Sequence, residues 1–156
     1  MRVWGVTRSG EGDRTHAERI VPAAKLHEAL PEADYVLIAA PETVETRHLI
    51  GVAEITRMKR GARLINVGRG SLLDEAALLR ALESGALGGA AIDVARLEPL
   101  PAESPLWKAP NLLITPHTSG VSDRLWDRQA EVLIELLKRW FEGTELFNRV
   151  DFARGY

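Results

Sequence analysis

Residues 62–85 read ARLINVGRGSLLDEAALLRALESG. The stretch opens on an apolar run too short for a helix, breaks at Gly68-Arg69-Gly70, and resumes with helical spacing after Asp74. Asp74 is placed to cap that helix, Leu78, Leu79 and Leu82 share its inward face, and Gly85 stands beyond its end. An uninterrupted apolar strand that runs into an amphipathic helix is the repeating unit of a parallel sheet covered by helices.

Outward from this unit the pattern recurs. DYVLIAAP (34–41) reads as a strand buried on both faces and closed by Pro41, and GVAEITRMKRG (51–61) as a helix with Val52, Ile55 and Met58 at helical spacing and Gly61 as its stop. GGAAIDV (88–94) and NLLIT (111–115) are two more strands. SDRLWDRQAEVLIELLKRWFEG (122–143) is a long amphipathic helix with Ser122 as its cap and Gly143 as its stop. Towards the start, Val3, Trp4 and Val6 read as a buried strand. SGEGDRTHAER (9–19) reads as a solvated loop, and AAKLHEALPEA (23–33) as a short helix with Leu26, Ala29 and Leu30 on one face. The expectation is one α/β domain, with ELFNRVDFARGY (145–156) free to pack elsewhere.

Composition narrows the function classes. A formal net charge of -2, with arginines dispersed along the chain, gives no basic field for nucleic acid or an anionic membrane. No apolar stretch reaches membrane-spanning length, and the N-terminus lacks a signal-peptide layout. The absence of cysteine removes disulfides, thiolate chemistry and Cys-ligated zinc, and fits a cytoplasmic protein. His16, His27, His48 and His117 are scattered without ligand spacing, so no metal site is expected.

Ligands of open parallel sheets bind beyond the carboxyl ends of the strands. There, three successive strands deliver Arg69, then Glu98 with Asp93 just before it, then His117. Each alone has an ordinary explanation as a loop or structural residue. Together they suit reduction of a 2-oxo acid: Glu98 orients and charges the His117 imidazole as proton donor, and the planar fork of Arg69 grips the substrate carboxylate. Neither Ser71 nor Ser119 sits in a nucleophile-elbow sequence, so a serine hydrolase fits worse.

APETVETRHLIG, LINVGRGSLLDEAAL and AAIDVARLEPLPAESPLWKAPNLLITPHTSG resemble the D-isomer-specific 2-hydroxyacid dehydrogenases, and the match runs in family order over nearly the whole chain. The resemblance implies an incomplete doubly wound, Rossmann-like parallel sheet with helices on both faces. Residues 1–143 would be a partial NAD(P)-binding domain, and residues 144–156 a tail that packs toward a substrate domain. It puts Arg69, Glu98 and His117 in the catalytic places and Asp93 on the nicotinamide carboxamide. Pro41, Thr43, Val67, Gly68 and the His117–Gly120 segment, including Ser119, would line the cofactor. At the end of the opening strand, where an acidic residue would bind ribose hydroxyls, Thr7 and Arg8 favour NADP over NAD.

By the same resemblance the opening strand is the second of its domain, so the first strand, its glycine-rich turn and most of a substrate domain are expected to be missing. Without the central strand the sheet should fall into two fragments with open edges. That predicts a homo-oligomer, a strand exchange, a rearranged sheet or a complementary N-terminal half. The implied activity is glyoxylate/hydroxypyruvate-reductase-like or phosphoglycerate-dehydrogenase-like. A catalytically inactive truncated or split fragment and a nucleotide-sensing binding protein of the same fold are the alternatives.

Overall fold

The computed structural model describes residues 1–153. Six short strands carry the fold: β1 (Trp4–Thr7), β2 (Arg19–Pro22), β3 (Tyr35–Ile38), β4 (Arg63–Asn66), β5 (Gly89–Ile92) and β6 (Leu112–Ile114). They form two parallel sheets, β1-β2 and β3-β4-β5-β6. This is the incomplete doubly wound α/β arrangement expected, and the division into two fragments is the expected one. Among the described residues, β1 and β3 each pair on one side only.

The register explains where the core lies. Val36, Leu64, Ala90 and Leu112 form one cross-strand row, as do Ile38, Asn66, Ile92 and Ile114. These rows face helices α2 (Val52–Arg57) and α3 (Glu75–Glu83), and the core closes around Ile55, Met58, Leu64, Leu78, Leu82 and Ile92. Asp74 caps α3 as expected, accepting from the Ala77 amide at 3.0 Å, and Gly85 adopts φ 67° after the last turn.

The opposite rows behave differently. Leu37, Ile65, Ala91 and Leu113 line up across the sheet, yet Leu37 is 61% and Leu113 62% exposed. The expectation that residues 34–41 are buried on both faces therefore holds for one face only, since Tyr35 is open as well. The opening strand is likewise half open, with Val3 and Val6 exposed and Trp4 partly buried beneath Arg19.

Other boundaries also move. Arg19–Pro22, not read as a strand, pairs with β1 and buries Ile20 and Val21. Residues 23–32 form one α-turn, α1 (Leu26–Ala29), between two 3₁₀ turns, because Pro31 denies the helix a continuing amide. The last helix, α4 (Leu125–Glu142), starts after Arg124 without a side-chain cap, so Ser122 does not cap it. Gly143 ends it in the left-handed region at φ 68°. None of the residues of α4 is buried. No helix among the described residues is long and apolar enough to cross a membrane.

Candidate active site

The site is assembled by three loops at the carboxyl ends of β4, β5 and β6. Asn66, fully buried at the end of β4, builds the first. Its Oδ1 accepts from the Gly68 amide at 3.0 Å and its Nδ2 donates to the Arg69 carbonyl at 3.0 Å, bending Gly68-Arg69-Gly70 outward. Gly70 then crosses the next loop so closely that a Cβ there would lie 2.0 Å from the Ala95 carbonyl carbon. Only glycine allows that crossing, which brings the Arg69 loop against the segment leading to Glu98. The Arg69 guanidinium also donates to the Gly68 carbonyl at 2.7 Å.

The second loop follows β5. Glu98 Oε1 accepts from the Ala95 amide at 2.9 Å, and Oε2 lies 2.8 Å from His117 Nδ1. The hydrogen bond from His117 and that from Ala95 hold the Glu98 carboxyl below its ordinary range, with the positive charge of Arg69 adding to the effect. An ionised carboxylate only accepts, so His117 Nδ1–H donates and Nε2 is left for another molecule.

The third loop, residues 115–120, is tied to buried Asp93. Its Oδ1 accepts from Thr115 Oγ1 (2.5 Å) and the Thr118 amide (2.9 Å), and its Oδ2 from the Ser119 amide (2.8 Å). Burial alone would raise the Asp93 carboxyl, but hydrogen bonds from Ser119, Thr115 and the two amides outweigh it and hold the group well below the carboxylate range. His117 takes φ 55°, an uncommon backbone for a residue with a side chain.

Arg69, Glu98, His117 and Asp93 are thus brought together as the sequence reading places them. Val67 and Gly68 lie on the Arg69 loop. Ser119 and Gly120 lie on the His117 turn, with nothing within 4 Å of a Cβ built at Gly120. Pro41 and Thr43 stand beyond β3 in a turn organised by Thr46, whose Oγ1 donates to the Pro41 carbonyl at 2.8 Å and accepts from the Thr43 amide at 2.7 Å. Thr7 and Arg8 are on the other sheet. Thr7 Oγ1 accepts from the Gly10 amide (3.1 Å) and donates to the Glu11 carbonyl (2.9 Å), while Arg8 is exposed.

Asn66 and Thr46 are absent from the sequence reading. A polar residue closing an otherwise apolar run, as in ARLIN, is the signal for Asn66. Thr46 has no comparable mark. Outside the site, His27 Nε2 lies 2.6 Å from Glu54 Oε1 and joins α1 to α2.

Residues 1–119 match the family model described as D-isomer specific 2-hydroxyacid dehydrogenase, NAD binding domain. The chain belongs to this family. A Korarchaeum cryptofilum glyoxylate reductase is 42% identical to this chain over 117 residues, covering 75% of it and 34% of the relative. An Enterobacter glyoxylate/hydroxypyruvate reductase B is 48% identical over 120 residues, covering 77% and 37%.

Among solved structures, a Xanthobacter autotrophicus D-isomer specific 2-hydroxyacid dehydrogenase in complex with NADPH and MES superposes with TM-score 0.89 at 36% identity, covering 99% of this chain and 62% of that one. A Sinorhizobium meliloti NADPH-dependent glyoxylate/hydroxypyruvate reductase, in complex with NADP and sulfate, gives TM-score 0.89 at 33% identity, with 99% and 49% coverage. The chain therefore spans between a third and two fifths of these curated relatives, and about half to three fifths of these solved chains.

Proposed function

We propose that this chain carries the acid–base half of an NAD(P)-dependent D-2-hydroxyacid dehydrogenase acting on glyoxylate, hydroxypyruvate or a similarly small 2-oxo acid. The observation that carries the reading is the 2.8 Å pair between His117 Nδ1 and Glu98 Oε2 beside Arg69, on adjoining loops of one sheet edge. When bound, the nicotinamide supplies the hydride to the carbonyl carbon. His117 donates a proton from Nε2 to the carbonyl oxygen, and in the reverse direction takes it back from the hydroxyl. Glu98 fixes the ring orientation by accepting from Nδ1–H. Arg69 offers a paired set of N–H donors to a carboxylate.

The residues suit the cofactor at its nicotinamide end. Thr43 and the exposed Val67 offer uncharged side chains, and Gly120 leaves open space beside its backbone, a lining that suits the flat, uncharged faces of a pyridine ring. Pro41, Gly68, Asp93 and Ser119 complete that lining in this reading. At the other end Arg8, exposed and without an acidic neighbour at Thr7, favours NADP through its charge on a 2′-phosphate, as the NADPH and NADP complexes of the similar structures support.

No glycine-rich turn leading into a helix occurs among these residues to cradle the pyrophosphate. We therefore place that cradle on a complementary N-terminal segment, and the strand that joins β1 to β3 on the same segment or on a partner copy. In the same reading residues 1–143 act as the partial nucleotide-binding domain and residues 144–156 pack toward a substrate domain. Residues 154–156 of that tail lie outside the described residues. In this reading the chain works in the cytoplasm, which its cysteine-free composition fits.

The test is titration of the purified chain with NADPH and with NADH, read by tryptophan fluorescence and calorimetry, followed by turnover assays on a panel of 2-oxo acids. Saturable binding with NADPH the tighter ligand, and turnover abolished in His117→Gln, is the expected result. Equal turnover in wild type and His117→Gln overturns the acid–base assignment.

A further inference from the structure

The resemblance gives Asp93 to the cofactor, and its hydrogen bonds within the protein point to a second task. Its carboxylate is 5% exposed and accepts three hydrogen bonds, all from the turn that carries His117. Its main-chain carbonyl accepts a fourth, from the His117 amide at 2.8 Å. Thr115, His117, Thr118 and Ser119 are therefore all fastened to one residue.

We propose that Asp93 is a positioning residue whose carboxylate clamps the 115–119 turn and so holds His117 against Glu98. The backbone at His117 explains the need. At φ 55° it occupies a region that residues with side chains leave when nothing restrains them. Relaxation to an ordinary backbone angle swings the imidazole away from its partner. The partner is fixed from the same place, because Glu98 accepts from the amide of Ala95, two residues beyond Asp93. The end of β5 thus holds one side of the pair through a carboxylate and the other through an amide. Charge-assisted acceptance from N–H and O–H groups is the stronger class of hydrogen bond, which suits a clamp of this kind.

This assignment rests on the acid–base reading of His117 for its purpose, though its test does not. In the ¹⁵N-labelled, cofactor-free chain, Asp93→Asn replaces one acceptor oxygen with an N–H₂ that meets the donors of the turn. The expected result is exchange of the Thr118 and Ser119 amides accelerated about tenfold or more, as follows from losing a charge-assisted bond. The nitrogen resonances of His117 should also lose the signature of a hydrogen-bonded Nδ1–H, with α3 amides still protected. Contact with a cofactor moves neither signal, since none is bound.

Unchanged exchange and an unchanged imidazole overturn the clamp. Should Asp93→Asn lose α3 protection and so fail to fold, Thr115→Val removes a single donor and carries the test. It should loosen the same two amides by a smaller factor, and no loosening overturns the clamp. If the turn loosens in Asp93→Asn while His117→Gln keeps full turnover, the clamp stands and the acid–base reading falls.

Discussion

Asn66 makes a small side chain responsible for the shape of a loop. Fully buried, it gives the Gly68 amide its acceptor and the Arg69 carbonyl a second donor beside the Leu72 amide. Replacement by Ala removes both bonds and keeps the burial, so a loss of about 1–3 kcal/mol is expected in a urea melt, with Arg69 no longer aimed. The carboxylates give a second expectation. Asp93 and Glu98 are both held below their ordinary range, hence each binds its proton more weakly in the folded chain than in the unfolded one. The stability they lend is complete above about pH 6, where the unfolded groups are fully ionised. It drains as pH falls through the lower folded-state values. Thermal melts should show the midpoint falling on acidification below that point, and falling less steeply in Asp93→Asn.

At the scale of elements, the crossing of two loops matters more than any single contact. Gly70→Ala puts a methyl group into the Ala95–Arg96 main chain, and the loops must part. Overpacking of this kind costs about 1–3 kcal/mol. The expected result is a lower melting temperature, together with the loss of Arg69's influence on Glu98. In α3, Leu78 is wholly buried, and Leu78→Ala should cost about 2–5 kcal/mol by the same melt.

These elements also mark how far the sequence could be read. The strand–turn–helix at 62–85 was legible because period, cap and stop agree there. The trio of Arg69, Glu98 and His117 followed from placing each after an apolar run. β2 was not legible: four residues with two apolar side chains are too few to declare a period, and pairing with β1 makes them a strand. Nor could the exposure of Leu37 be read, since an apolar run looks the same whether or not a helix lies over it. Ser122 failed as a cap because the α-helical turns begin three residues later, after Arg124.

For the whole molecule, the open row of Leu37 and Leu113 and the uncovered α4 leave apolar surface facing solvent. Sedimentation velocity should show concentration-dependent association of the isolated chain, reduced in the double substitution Leu37→Lys, Leu113→Lys. A chain that stays monomeric at every concentration would show that this surface does not drive association. The division into two sheets has a further consequence, an evolutionary one. Arg8 follows β1 of one sheet, while Arg69, Glu98 and His117 lie on loops beyond strands of the other, and the two sheets have separate hydrogen-bond ladders. Coenzyme preference and chemistry can then drift independently under selection. Arg8→Asp should shift binding from NADPH towards NADH in parallel titrations while the exchange pattern around His117 stays as it was. A lineage needing the other reducing coenzyme would have to alter only the tip of one strand.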